Sequence, residues 1–297
     1  MKVLSFGEIL WDVYPDGKYI GGAPLNFAAH LAKHEHDVYM LSSLGDDELG
    51  REAITQLEKW NVSTSLITSS STHNTGTCLV TLDDKYVPSY NLLNDVAYDY
   101  IKTDGVDNTF DVLYFGTLAL RSSTNYNSLK QLISKNSFSQ IFVDINIRPP
   151  FFSKETVEFA VKNATIIKVS LEEMPNVSSL ILNDTNISHI DFSRKLTRLC
   201  PNLNCIIITL GDKGAYAYDC INSVDYSCDS ENVVVKSTVG AGDSFSAAFL
   251  SKYLNSSTIN ECLKYASLIA GFVVSNNAAV PDYNIEDFSK PNLDKAL

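Results

Sequence analysis

Short apolar runs rich in β-branched residues alternate with helical patterns along most of this chain, and no other feature constrains the fold as much. Runs typical of buried strands lie at 3–9, 38–42, 112–115, 141–145, 166–169 and 206–210. Helical patterns lie at 25–33, 47–60, 122–134, 154–163, 190–199 and 259–274. This alternation predicts an α/β fold in which helices cover both faces of a parallel sheet.

Two early stretches interrupt the alternation. Residues 13–20 contain the turn signal Pro15-Asp16-Gly17, and residues 75–92 alternate apolar and polar side chains around Asp83-Asp84-Lys85. Both read as hairpins. They could form a small β-sheet lid over a cleft or lie on the surface as decoration, and the pattern favours neither.

The size and charge of the chain limit its partners. Its 297 residues are 45% hydrophobic and carry a net charge of −12, and we expect one large domain spanning 1–297. The acidic balance disfavours nucleic acid and membrane surfaces as partners. ATP binding would therefore need local anion-binding groups such as helix N-termini.

Cysteine usage and the N-terminal residues predict a cytoplasmic protein. The six cysteines show no CxxC pair, so we expect reduced thiols that mostly serve packing. The first apolar run is broken by Glu8 and Asp12, unlike a signal peptide. The apolar stretch 266–274 is too short to span a bilayer.

The strongest local signal is the segment 238–245, in which Gly240 and Gly242 precede Asp243 at the start of a helical pattern. The glycines permit a tight turn and expose N–H groups, which form an anion site together with the helix dipole. Phosphoryl transfer to an alcohol needs such donors and a nearby base. The alternative reading is that Asp243 only caps the helix.

A second glycine pair opens the first helical pattern at Gly21-Gly22-Ala23-Pro24. Asn26 follows and offers both a donor and an acceptor to a sugar hydroxyl, and Asp12 is a second candidate for that role. The segment 45–51 has the glycine spacing of a P-loop but is too acidic, so we predict an acidic helix cap there.

Single residues elsewhere are less specific. His30 and His34 are four apart on one helix, and a partly exposed pair is favoured over a metal site. Asp144 to Arg148 and Thr209 to Gly211 each follow a predicted strand, where α/β proteins bind ligands.

Together these pieces resemble the ribokinase-like (PfkB) carbohydrate kinase family, and most closely its fructokinase branch. The matching motifs occur in the family's order at 7–12, 21–26, 45–50, 144–150, 209–214 and 240–245. The resemblance implies a Rossmann-like three-layer α/β/α sandwich with a small β-sheet lid, which in many members helps to form a homodimer.

The resemblance also implies roles for individual residues. The family's base falls on Asp243 and its anion hole on the backbone of Gly240, Ala241 and Gly242. The sugar would lie near Asp12, Gly22 and Asn26, and Arg148 would reach the substrate or a phosphate. ATP would be met by Lys168, Ser170, Thr209, Gly211 and Asn277. Magnesium (Mg2+) would be held largely through water, with Glu173 as the nearest carboxylate.

Four positions depart from the family pattern. Ser237 stands where an Asp helps many members to bind a monovalent cation (K+), which puts potassium activation in doubt. Ser170 replaces an Asn and weakens the magnesium and phosphate assignment. Ala278 replaces a Gly of the nucleotide loop, and Glu35 replaces a Gly at the end of the first helix.

The sequence therefore predicts an ATP-dependent sugar kinase, with fructose preferred because the substrate motifs hold no cluster of Lys or Arg that would suit a sugar phosphate. Ribose, a nucleoside or a keto-deoxy sugar acid remain alternative substrates, the last because a guanidinium such as that of Arg148 suits a carboxylate. A non-catalytic sugar- or nucleotide-binding relative is a further alternative, which the changes at Ser170, Ser237 and Ala278 motivate.

Overall fold

The computed structural model of the chain describes residues 1–15, 17–82, 88–107 and 109–288. The described strands are β1 (Lys2–Phe6), β2 (Leu10–Tyr14), β3 (Gly17–Gly21), β4 (Asp37–Gly45), β5 (Ile67–Ser70), β6 (Gly76–Leu82), β7 (Pro88–Leu92), β8 (Val112–Gly116), β9 (Gln140–Asp144), β10 (Ile166–Ser170), β11 (Cys205–Thr209), β12 (Ala215–Asp219) and β13 (Val224–Cys228). The described α-helices are α1 (Ala23–Lys33), α2 (Glu48–Lys59), α3 (Ser123–Lys135), α4 (Lys154–Asn163), α5 (Met174–Leu182), α6 (His189–Leu199), α7 (Ala241–Leu254) and α8 (Ile259–Val274).

The main sheet has nine strands in the order β13-β12-β11-β10-β9-β8-β1-β4-β5. The pairs from β11 to β5 are parallel, as the alternation of strands and helices predicts. The prediction of a wholly parallel sheet is wrong at one edge, where β11, β12 and β13 pair antiparallel. The turn after Asp219 joins β12 to β13 directly, so no crossover helix is needed there.

Helices cover both faces of this sheet because successive side chains of its strands point to opposite sides. In β1, Val3 belongs to the core that includes Phe249 of α7, whereas Leu4 belongs to the core that includes Leu196 of α6. Both strand residues are fully buried. The three-layer α/β/α architecture that the resemblance implies is therefore confirmed.

A separate sheet of four strands, in the order β3-β2-β6-β7, forms the lid. Strand β2 pairs antiparallel with β3 and parallel with β6, which in turn pairs antiparallel with β7. These strands confirm the lid as the correct reading of the two early hairpin patterns. Asp16 and the turn predicted around Asp83-Asp84-Lys85 lie outside the described residues.

A side-chain cap explains where α2 begins. Asp47 is the N-cap of α2, and its carboxylate accepts a hydrogen bond of 2.8 Å from the Gly50 N–H, which confirms the predicted acidic cap.

All six cysteines lie in described residues and are free thiols. Within the described ranges, no helix combines the length and the apolarity needed to cross a bilayer.

The candidate site residues lie at the ends of packed helices and of neighbouring strands. Helix α7 packs against both α8 and α1. Asp144, Ser170 and Thr209 are the last residues of β9, β10 and β11, three parallel strands whose carboxyl ends share one edge of the sheet. That edge is where open α/β sheets bind ligands.

Candidate active site

The first turns of α1 and α7 form the centre of the candidate site. Each helix begins after a glycine with positive φ, which is 115° at Gly22 and 81° at Gly240. A side chain at Gly22 would collide with the carbonyl oxygen of Glu8, and one at Gly240 with that of Ala279. Glycine is therefore required at both positions by backbone conformation and by close approach.

Asp243 lies in the first turn of α7 and is partly accessible. Its Oδ2 accepts a hydrogen bond of 2.8 Å from Nδ2 of Asn26, which lies in the first turn of α1 and is 4% exposed. The Oδ1 atom of Asn26 is buried and has no partner among the described residues. One amide thus orients the carboxylate and keeps an acceptor for a further group.

Burial raises the pKa of Asp243 to about 6, because removal from water disfavours the charged carboxylate. The hydrogen bond from Asn26 lowers this pKa, the neighbouring carboxylate of Asp144 raises it, and the charges of Lys168 and Arg148 lower it. A carboxylate with a pKa near 6 is ionised at neutral pH and is more basic than an ordinary aspartate. These are the properties of a general base.

Free backbone donors lie beside this carboxylate. In α7, the Ser244 N–H donates to Gly240 O at 2.9 Å, and the Ala241 N–H donates to Thr238 O at 3.3 Å. The N–H groups of Gly242 and Asp243 precede the first intrahelical bond and have no acceptor within the helix. Together with the helix dipole they make a site for an anion.

A buried ion pair supports this turn from the sheet. Lys168 and Asp144 are 5% and 2% exposed, and their ammonium and carboxylate form a salt bridge. A Cβ atom built on Gly242 would lie 3.3 Å from Lys168 Nζ, so the ammonium is next to the first turn of α7. Lys168 therefore lies beside the anion site, paired with Asp144 rather than free.

Glu8 is a residue of this site that sequence reasoning missed. It is 2% exposed, and burial raises the pKa of its carboxyl to about 7, while the charge of Asp243 raises it further and that of Arg148 lowers it. Its Oε2 has no hydrogen-bond partner among the described residues. In the sequence Glu8 stands out only as a carboxylate within an apolar run and as part of the family motif at 7–12, neither of which assigns it a role.

The lid contributes Asp12, in β2, to the same region. Its pKa is raised, mainly by burial, while hydrogen bonding to Cys78 and the charge of Arg148 lower it. Arg148 is exposed, and its charge acts on Asp12, Glu8 and Asp243 alike. The structure thus brings together the predicted sugar-side residues from the lid, from α1 and from the loop after β9.

The predicted nucleotide-side residues are divided between two places. Ser170 and Thr209 are paired in register at the ends of β10 and β11. Gly211 follows with a φ of 64° and open space beside it. Asn277 is exposed and lines a cleft of about 390 Å³, which Asp12 and Ser237 also line.

Glu173 makes a bridge between two loops. Its Oε2 accepts from the Ser170 N–H at 2.8 Å, and its Oε1 accepts from the Ile147 N–H. Over the described ranges, no group of three or more His, Cys, Asp or Glu side chains could hold a metal ion. This donor set fits a magnesium ion that arrives on nucleotide phosphates and is held through water, because Mg²⁺ keeps several waters and needs few carboxylates.

The predicted exposure of the two histidines in α1 is wrong. His30 and His34 are 0% and 7% exposed. Burial lowers the pKa of His30 to about 3 and that of His34 to about 4. His30 contacts Tyr283 Oη at 2.8 Å and Ala279 O at 2.9 Å, so it ties α1 to the loop that packs on Gly240.

Comparison with known proteins shows the family. A family model described as "pfkB family carbohydrate kinase" matches residues 7–284. The uncharacterized sugar kinase PH1459 of Pyrococcus horikoshii is 28% identical over 99% of this chain and 94% of its own. Its crystal structure in complex with ATP superposes with a TM-score of 0.80 at 24% identity, covering 99% of this chain and 100% of that one.

Two further relatives differ in the substrate that their names give. Probable fructokinase-4 of Arabidopsis thaliana is 26% identical over 94% of this chain and 92% of its own. The 5-dehydro-2-deoxygluconokinase of Mesomycoplasma hyopneumoniae is 26% identical over 90% of this chain and 82% of its own. Similarity therefore leaves the sugar open between a neutral sugar and a sugar acid.

Proposed function

Because this chain belongs to the pfkB family of carbohydrate kinases and is an ATP-dependent phosphotransferase with an alcohol acceptor, we propose that it phosphorylates a primary hydroxyl of an unphosphorylated neutral sugar, with fructose as the first candidate. Asp243 is the base in this proposal. The observation that carries it is the position of its carboxylate, which lies in the first turn of α7 beside free N–H groups and is held by Asn26.

The proposed chemistry uses residues in distinct roles. Asn26 orients Asp243, whose carboxylate accepts the proton of the attacking hydroxyl. The N–H groups of Gly242 and Asp243 stabilise the charge that spreads over the transferring phosphoryl group. Magnesium, bound on the nucleotide, supplies further charge neutralisation there.

The lid and the nucleotide side complete the proposal. Asp12, on β2, and the backbone at Gly22 hold hydroxyls of the sugar, and Arg148 reaches the sugar or the transferred phosphoryl. Ser170, Thr209, Gly211 and Asn277 contact ATP, and Glu173 holds hydrated magnesium. Lys168 lies beside the phosphate site next to Gly242, and its ammonium adds positive potential there although it is paired with Asp144.

The direct test is Asp243→Asn, which keeps the shape of the side chain and removes the base. We expect turnover, followed as sugar-dependent ADP release, to fall by about 10²- to 10⁴-fold, while sugar binding changes little. Asp282→Asn, at an exposed carboxylate that pairs with Lys33, is the matched control and should turn over normally. Normal turnover of Asp243→Asn would remove Asp243 from the mechanism.

A sugar acid is the second candidate substrate, because Arg148 is an exposed guanidinium beside the sugar-side residues. Parallel ADP-release assays with fructose, ribose, adenosine and a keto-deoxy gluconate would separate the candidates. We expect the largest kcat/KM with fructose. A larger value with the acid would reassign the substrate and leave the roles of Asp243 and its helix unchanged.

A further inference from the structure

Buried polar atoms without partners are concentrated on the sugar side of Asp243. Among the described residues, such atoms include Glu8 Oε2, Asn26 Oδ1, Tyr98 Oη and Arg121 Nη1. Leaving a buried polar group unpaired is unfavourable, and native proteins keep few such groups. Four in one region indicate that a bound molecule, rather than the protein, completes their hydrogen bonds.

Electrostatic interactions connect these residues. The charge of Glu8 acts on Tyr98 and on Arg121, and Glu8 also interacts with Asp243. Glu8 and Arg121 are nevertheless not among the salt bridges found in the described residues.

Arg121 and Tyr98 are held in place by their neighbours. The Arg121 side chain is 6% exposed, and its Nε and Nη2 donate to Asp99 at 2.8 and 2.9 Å. Its Nη2 also donates to Leu93 O at 2.7 Å. The guanidinium lies 4.9 Å from the ring centroid of Tyr98, whose ring packs against Gly76 at the start of β6. Only Nη1 of the guanidinium remains unused.

Apart from Arg148, whose charge also acts on Glu8, the charges of this region disfavour an anionic ligand. Asp99 already neutralises Arg121 through two parallel bonds, so that guanidinium attracts a second carboxylate weakly. An acid group placed there would also face Glu8 and Asp243. A neutral polyol meets no such penalty, because its hydroxyls can donate to Glu8 and Asn26 and accept from Tyr98 and Arg121.

We propose that Glu8, Tyr98 and Arg121 form an inner sugar pocket that binds the hydroxyl groups of a neutral sugar remote from the transferred one and discriminates against sugar acids. This proposal rests on the proposed function, since it assigns specificity to the same site. Phosphoryl transfer itself does not depend on it. The two therefore fail separately.

The test uses two variants that change the shape of the side chain little. Tyr98→Phe removes a hydroxyl donor, and Glu8→Gln removes a negative charge. For each we expect the KM for fructose to rise about tenfold or more, whereas the KM for ATP stays unchanged. Tyr100→Phe is the matched control, because Tyr100 belongs to the same short helix but donates at the surface to Asp95 at 2.6 Å.

Thermal unfolding without sugar distinguishes binding from a structural role. Since Tyr98 Oη has no partner, Tyr98→Phe should keep or raise the melting temperature of the sugar-free protein while reducing the increase that fructose produces. A lower melting temperature with an unchanged fructose KM would mean that the hydroxyl serves packing or holds a water molecule, and would overturn the proposal.

The outcomes for the two proposals remain distinguishable. If the wild-type protein phosphorylates fructose but both variants match it within about twofold, the inner pocket is wrong and the proposed function stands. If the wild-type protein prefers a keto-deoxy acid, the selection against acids is wrong. If it phosphorylates no sugar, the proposed function fails before the variants are compared.

Discussion

Asn26 Nδ2 donates a hydrogen bond of 2.8 Å to Asp243 Oδ2 across 217 positions of the chain. This bond joins the first turns of α1 and α7, the two helices that begin after left-handed glycines. It fixes the carboxylate in one orientation and lowers its pKa. The proposed base is therefore adjusted by a residue of the sugar-side helix.

Asn26→Ala should move the acid limb of the kcat/KM profile to higher pH. The hydrogen bond favours the ionised carboxylate, so its loss raises the pKa of Asp243 above about 6, by about one unit. Activity should thus fall more at pH 6.5 than at pH 8. Asn163→Ala is the control. It loses a hydrogen bond from the side-chain amide to Phe159 O in α4 and should leave the profile unchanged. An equal loss at both pH values would indicate an effect on sugar binding alone.

Asp243→Asn should stabilise the protein at alkaline pH. The folded-state pKa is raised from 3.8 to about 6, so ionised Asp243 opposes folding, and its contribution to stability falls as pH rises through that window. Above pH 6 the penalty is complete, and we expect the variant to gain about 1–3 kcal/mol, because one pKa unit corresponds to ~1.4 kcal/mol. Urea unfolding at pH 8 and at pH 4.5 measures this. At pH 4.5 the gain should fall to about a third of its value at pH 8, because the unfolded-state carboxyl already ionises above pH 3.8. A gain independent of pH would contradict its electrostatic origin.

Gly240→Ala should reduce turnover more than backbone strain alone explains. The φ of Gly240 is 81°, and an added methyl group would collide with the Ala279 carbonyl, which must move together with the loop that carries Asn277. Gly105→Ala is a close control, because Gly105 has a φ of 83° with nothing within 4 Å of the added carbon. We expect each variant to lose about 1 kcal/mol to strain, but only Gly240→Ala to lose at least tenfold in kcat. An equal kcat in the two variants would show that the turn at Gly240 tolerates displacement of the Ala279 carbonyl.

Glu35→Gly should increase the free energy of unfolding. Glu35 follows the end of α1 with a φ of 63°, a conformation that penalises a side chain and suits glycine. Relief of this strain outweighs the extra entropy of glycine in the unfolded chain, and we expect a gain of about 0.5–1 kcal/mol by urea unfolding. Lys130→Gly, in the middle of α3, should instead lose about 1 kcal/mol. A loss at Glu35 as well would mean that its side chain has a stabilising contact.

The strands and helices that the sequence predicted correctly are those with strong local periodicity. The runs around β8, β9, β10 and β11 are almost continuously apolar, because strands covered on both faces need no polar alternation. The sequence patterns did not predict β5, β12, β13 or α5. In β12 and β13 short alternating residues form an edge hairpin, and α5 begins with a proline in its first turn, so each pattern is brief or interrupted.

The residues of the candidate site also divide into those that belong to a local sequence pattern and those that do not. Gly22, Gly240 and Asp243 were found from sequence because a glycine before a helix, with a carboxylate in its first turn, is a local pattern. Glu8, Tyr98 and Arg121 were not found, because each is an ordinary residue of its own segment. Only their burial without partners distinguishes them.

By itself, the sequence determined the layered α/β architecture, the two helix starts and the family, since these follow from short local patterns and from their order along the chain. The tertiary structure alone decided which groups interact: Asn26 with Asp243, Lys168 with Asp144, and Glu8 with Arg121. The physical reason is that pKa values, ion pairs and unfilled hydrogen bonds depend on distance and burial. Both quantities arise only when remote segments pack together.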